Sequence, residues 1–107
     1  MTLRAELVPA EFAPELKPGE LLSLDLIGPE LTVRNWQPGD RFWPAHSGSV
    51  EKLKRLFAEK RIPAGDRATW PVVLSGEEIV WVRGFPAANT YQWRGDGAAV
   101  RIEAISG

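Results

Sequence analysis

Few side chains in this sequence could carry out chemistry. His46 is the single histidine, and cysteine is absent. Zinc sites of the usual composition and thiolate nucleophiles are thereby excluded. His46 precedes Ser47, but adjacent side chains rarely face each other, and an ordinary loop histidine is the better reading. Asp40 and Asp66 each follow a glycine, where a carboxylate usually caps or braces a turn. No G-x-x-x-x-G-K-S/T or G-x-G-x-x-G loop is present to cradle a phosphate. An independent small-molecule enzyme would need a pocket holding a strongly perturbed acid or base. No residue is nominated for that role, and no catalytic or metal-binding residue is expected.

The basic side chains are the remaining candidates. The net charge is only −1, but it is unevenly spread. Residues 1–33 hold two basic and six acidic side chains, for −4. Residues 34–67 hold eight basic and four acidic ones, for +4. Residues 68–107 hold three basic and four acidic ones, for −1. A basic centre can guide a polyanion onto one face. Within it Lys52, Lys54 and Arg55 fall on or beside the polar side of a predicted helix. Two readings stand. One is a solvated face with i,i+4 pairs such as Glu51–Arg55; the other is a row of cations along a phosphate backbone. The five tryptophans, Trp36, Trp43, Trp70, Trp81 and Trp93, could stack on unpaired bases. Core or interface packing is the more ordinary use.

The elements that must position these residues read as a single small α+β domain, with one main helix on a mostly antiparallel sheet. A chain of 107 residues with 44% hydrophobic and 25% charged residues suits one globular core. No apolar run approaches the length needed to span a bilayer, and Met1 to Glu6 has no signal-peptide character. A cytoplasmic location is expected. Residues 1–30, acidic and proline-rich, read as a linker or an edge strand. Leu21–Ile27 alternates apolar and polar residues and predicts a strand ended by Gly28-Pro29. Leu31–Asn35 predicts a second. Gln37-Pro38-Gly39-Asp40 has the residues of a type II turn. Ser47-Gly48-Ser49 offers an N-cap, followed by a helical stripe of Val50, Leu53, Leu56 and Phe57 that Ile62-Pro63 closes. Residues 64–66 read as loop. Residues 70–74 and 79–82 predict a hairpin, and Ala99–Ile105 a last strand. Residues 85–89 show no clear element.

Motif order adds a resemblance. Val33-Arg34-Asn35-Trp36-Gln37-Pro38-Gly39-Asp40-Arg41-Phe42 resembles the Arg-x-x-x-Pro-Gly-Asp-Arg signature of the bacterial tRNA(Ile)-lysidine synthetase C-terminal domain. Val50 to Phe57, with Lys52-Leu53-Lys54, is similar to that family's Lys-Leu-Lys helix. Ile62-Pro63, Arg67 and Pro71 match its "Ile-Pro, Arg, Pro" run. Ile79 to Gly84 resembles its closing strand and glycine. The four agree in order and spacing, which places a domain of this kind at residues 31–107.

The resemblance implies a tRNA-binding accessory module, of a fold shared with a module of the phenylalanyl-tRNA synthetase β subunit. It implies that a separate N-terminal domain joins lysine to the wobble cytidine of an isoleucine tRNA with ATP and Mg. This chain lacks that domain's Ser-Gly-Gly-x-Asp-Ser loop and would need no cofactor. Expected partners are tRNA, gripped at the acceptor stem, and the catalytic domain; no membrane or metal is expected. Arg34, Arg41, Lys52, Lys54, Arg55 and Arg67 become the RNA-contacting candidates, and Pro38, Gly39 and Asp40 the structural turn. Asp40 is expected to brace Arg34 or Arg41. The competing reading is a structural domain whose Trp-rich surface docks on the catalytic domain without touching RNA.

Overall fold

The computed structural model describes residues 2–28 and 30–105. Pro29, the expected strand terminator, lies outside them. Among the described residues, with three short 3-10 turns between them, eight strands and two α-helices follow in chain order. They are β1 (Thr2–Val8), β2 (Leu21–Ser23), β3 (Leu31–Asn35), β4 (Arg41–Phe42), β5 (Glu51–Lys52), α1 (Leu53–Glu59), α2 (Ala64–Arg67), β6 (Pro71–Ser75), β7 (Glu78–Val82) and β8 (Ala99–Ile105). Every strand pairing is antiparallel. The strands form three small sheets, β1-β8-β2, β3-β6-β7 and the β4-β5 ribbon. The α+β class follows directly.

The opening residues are structured by their distant partner. All seven residues of β1 pair with β8, from Thr2–Ile105 to Val8–Ala99, and β1 is an outer strand. The strand expected over 21–27 stops at Ser23. The Ser23 carbonyl accepts the N–H groups of Leu26 and Ile27, which folds the chain into a turn. Leu24 and Leu26 are therefore exposed rather than core.

The main helix is shorter than its apolar stripe predicts. Glu51 and Lys52 are drawn into the ribbon with β4, so α1 begins at Leu53. Ser47 to Ser49 do not cap it; Lys52 holds the N-cap position without a side-chain bond. Val50 is exposed, whereas Leu53, Leu56 and Phe57 are buried. The helix ends before Ile62-Pro63, in a Schellman motif. Arg61 N–H bonds the Ala58 carbonyl at 3.0 Å, and Ile62 N–H bonds the Phe57 carbonyl at 3.0 Å. Arg61 takes the left-handed position with φ 57°, a place usually filled by glycine. The segment 64–66, expected as loop, winds into α2 after Pro63.

The core lies under α1. Phe57 is fully buried and meets three other aromatic rings edge-on or tilted: Trp36 at 5.5 Å, Trp70 at 5.9 Å and Phe85 at 6.0 Å. Val72, Val80 and Val82 of β6 and β7 close the same core. A smaller cluster of Val8, Ala13, Leu21, Trp93 and Ala99 lies between the N- and C-terminal segments. Four of the five tryptophans are thus packing residues: Trp81 and Trp93 are buried, and Trp36 and Trp70 rest against the core, whereas Trp43 is half-buried and donates from Nε1 to the Ser47 carbonyl at 2.9 Å.

Two stability outcomes follow, both measured by urea titration. Phe57→Ala should destabilise the domain by about 3–5 kcal/mol, because it removes the ring around which the aromatic cluster packs. Arg61→Gly should stabilise it by about 1 kcal/mol, because glycine relieves the left-handed backbone at the Schellman position.

Candidate nucleic-acid interface

The turn at residues 37–40 organises this region. Asp40 N–H bonds the Gln37 carbonyl at 3.1 Å. Gly39 has φ 95° with open space where a Cβ would stand. The constraint there is conformational: only glycine adopts that backbone without strain. Pro38 sets the preceding φ.

Asp40 is the hub. Its Oδ2 accepts Arg34 Nη1 at 2.8 Å and the Gln37 N–H at 2.8 Å, while its Oδ1 accepts Arg34 Nη2 at 2.9 Å. Its backbone carbonyl accepts the first amide of α1, Leu53 N–H, at 2.9 Å. The Asp40 side chain is 12% exposed and that of Arg34 28%. Partial burial pushes the Asp40 carboxyl up, but the Arg34 and Gln37 hydrogen bonds and the Arg34 charge outweigh it. They hold it below its ordinary value. Arg34 is held above its ordinary value, chiefly by the hydrogen bonds to Asp40. The brace therefore goes to Arg34, not Arg41, and the Arg34 guanidinium fork is filled from within the chain.

Arg41 and Lys52 stand directly opposite each other in the β4–β5 ribbon. Both are exposed. Like charges directly opposite in a strand pair are destabilising, so the ribbon carries a concentrated positive spot against its own stability. Lys54 follows in the first turn of α1, also exposed. Among the described residues, none of Arg41, Lys52 and Lys54 forms an ion pair.

The other two basic candidates are differently placed. Arg55 lies on the outer face of α1, 3.4 Å from both Glu51 and Glu59. These are the i,i+4 pairs of a solvated helix face. Arg67 donates from Nε to the Ile62 carbonyl at 3.0 Å and lies 5.9 Å from the Phe57 ring. That arrangement fastens the α1–α2 corner.

An open groove of about 400 Å³ runs beside the turn. Arg34, Asp40, Arg41, Glu77, Glu78 and Tyr91 are among the residues that line it. Burial, then the hydrogen bond to Glu78, raises the Tyr91 hydroxyl above its ordinary value. His46 sits in an exposed turn with φ 68°, its ring against Gly19. Among the described residues no group of three or more His, Cys, Asp or Glu side chains could hold a metal ion. Among the described residues no helix is long and apolar enough to cross a membrane.

Two cationic contacts escaped the sequence reading. Lys60 bonds the Gly84 carbonyl and lies over the Phe85 ring at 4.5 Å. Arg83 lies over Trp70 at 5.1 Å, and Trp70 Nε1 donates to the Arg83 carbonyl at 2.9 Å. No local spacing announces either, because both partners come from other elements.

Comparison with known proteins places this geometry in context. Residues 31–104 match the family described as the TilS substrate C-terminal domain. The chain is 40% identical over 77 residues to the tRNA(Ile)-lysidine synthase of Solibacter usitatus, covering 71% of this chain and 18% of that protein. It is 38% identical over 87 residues to the synthase of Symbiobacterium thermophilum, covering 78% of this chain and 18% of that protein. The chain thus spans less than a fifth of these curated relatives. A crystal structure of a TilS C-terminal domain superposes with a TM-score of 0.77 and 26% identity, covering 98% of this chain and 85% of that one.

The Asp40 hub predicts a pH dependence. Its folded pKa lies below the unfolded reference of 3.8. Its contribution to stability is therefore complete above that value and is lost as pH falls through the lower folded value. Denaturant titrations below about pH 4 should show this loss, and Asp40→Asn should flatten it. Asp40→Ala should be the worse substitution at neutral pH, by about 2–3 kcal/mol against wild type, because it leaves Arg34 and the Gln37 N–H unpaired.

Proposed function

The chain belongs to the family of TilS substrate C-terminal domains, and from that premise we propose that it is a non-catalytic tRNA-binding accessory domain of a tRNA(Ile)-lysidine synthase. It grips the tRNA at the acceptor stem, while a separate N-terminal domain, using ATP and Mg, joins lysine to the wobble cytidine in the cytoplasm. Its relatives carry the name tRNA(Ile)-lysidine synthase.

The observation that carries the reading is the Arg41–Lys52 pair. Two cations held side by side with no ion-pair partner among the described residues, with Lys54 beyond them, suit a ligand that brings its own negative charge. RNA duplexes are held through phosphates and the shallow minor groove rather than by reading the deep major groove. Arg41 offers a planar fork to a phosphate, and the two lysines supply adaptable point charges. Arg34, Asp40, Pro38 and Gly39 act behind them by fixing the ribbon and the start of α1. Arg55 adds a shared, weaker contact because Glu51 and Glu59 compete for it. Arg67, half-buried, supports the fold at the α1–α2 corner.

The test is a titration with an isoleucine tRNA transcript at two salt concentrations. Binding should weaken with salt, with a log–log slope of about −0.9 for each phosphate contact. Lys52→Glu with Lys54→Glu, and separately Arg41→Glu, should abolish or sharply weaken binding while the thermal midpoint stays near wild type. Truncating one contacting cation to alanine should lower the slope by about 1. Wild-type protein that fails to bind tRNA even at low salt would instead favour a domain that docks on the catalytic domain.

A further inference from the structure

The β1-β8-β2 sheet has one open edge, and that edge is self-complementary. Of the outer strands, β2 is bridged by Gln92 and the Val80 carbonyl of β7 is taken by Ala88. β1 has β8 on one side and no strand on the other among the described residues. Such an edge is a template for pairing with another chain unless its side chains forbid it.

The charges on β1 select a register. Arg4 faces Glu103 and Glu6 faces Arg101 across the β1–β8 pairing, and both ion pairs form. A second copy paired antiparallel about a twofold axis at Ala5 would set Arg4 against Glu6 of its mate, twice. The charges would then alternate across four strands: Glu103, Arg4, Glu6 of the copy, Arg101 of the copy. An axis at Arg4 sets arginine against arginine, and an axis at Glu6 sets glutamate against glutamate; both are repulsive. The Ala5 register is also the one that pairs all seven residues of the strand. On the opposite face it brings Leu3 over Leu7, which is 60% exposed in the single chain. Leu7 shares an open cleft of mixed polarity with Phe12, itself 54% exposed. The outer edge of β3, which has no further strand beside it among the described residues, has no such pattern. An axis at Val33 would set Arg34 against Thr32, and Arg34 is committed to Asp40.

We propose that β1 pairs with β1 of a second copy of this chain, centred on Ala5, to form one continuous six-stranded sheet. The contact uses a different sheet from the Arg41–Lys52 ribbon and is independent of RNA.

The chain lacks cysteine, so single introduced cysteines report the register. Directly opposed residues in an antiparallel pair have Cα atoms about 4.5–5.5 Å apart, within disulfide reach. Light scattering on the wild-type chain without RNA should approach twice 11.9 kDa as concentration rises. Ala5→Cys should cross-link under mild oxidation much faster than Ala58→Cys on α1 or Thr32→Cys on β3. Leu3→Cys alone should stay unlinked but link to Leu7→Cys when the two are mixed. Arg4→Glu and Glu6→Arg should each be monomeric, and their mixture should recover the dimer, because each supplies the charge the other repels. A wild-type chain that stays monomeric to millimolar concentration, with Ala5→Cys no faster than Ala58→Cys, would overturn the proposal. So would preferential cross-linking through Thr32→Cys.

Discussion

A half-buried carboxylate, Asp40, ties together three pieces of chain that have no other reason to meet at a fixed angle. Its side chain takes both prongs of Arg34 from β3 and the Gln37 amide of the turn; its carbonyl takes the first amide of α1. A bidentate arginine–carboxylate pair fixes direction as well as distance. Removing one partner strands a partly buried charge, which is more damaging than losing the pair as a whole. The position of the β4–β5 ribbon, and with it the presentation of Arg41 and Lys52, depends on this hub.

The basic residues then divide by what already satisfies them. Arg34 is filled by Asp40, Arg67 by the Ile62 carbonyl and the Phe57 ring, and Lys60 by Gly84 and Phe85. These cations work for the fold, and their long side chains cover aromatic surface as much as they carry charge. Arg41, Lys52 and Lys54 have no such employment among the described residues. A formal excess of +4 over residues 34–67 therefore overstates the charge free to meet a ligand and says nothing of where it concentrates. The aromatic residues follow the same logic. Trp36, Trp70 and Phe85 pack edge-on or tilted against the buried Phe57, so these rings serve the core.

The two ends of the chain show a different economy of design. β8 is the centre of its sheet, with β1 on one side and β2 on the other. The acidic opening therefore does not trail from the domain: its Glu6 meets Arg101, and its Arg4 meets Glu103. The same alternation of sign that secures β1 to β8 leaves a matching alternation on the strand's outer side.

The α+β class, the type II turn at residues 37–40, the last strand at 99–105 and the buried face of α1 were legible from the sequence alone. Each rests on local information: a turn needs glycine at a positive φ, and a half-buried element repeats its apolar residues at its own period. The motif order from Arg34 to Gly84 also identified the family, because spacing between motifs survives in the linear chain. What the sequence could not fix were features decided by partners far along it. The N-terminus of α1 moved to Leu53 because β4 claimed Glu51 and Lys52, and the strand at 21–27 stopped at Ser23 because its chain turned back on the Ser23 carbonyl. The choice of Arg34 over Arg41 as the partner of Asp40 has the same origin. Neighbours in sequence compete equally for a carboxylate until the β3 pleat points one toward it and the ribbon turns the other outward. Which cations remained free was thus a property of the tertiary structure, because satisfaction of a charge depends on atoms that only folding brings within hydrogen-bond reach.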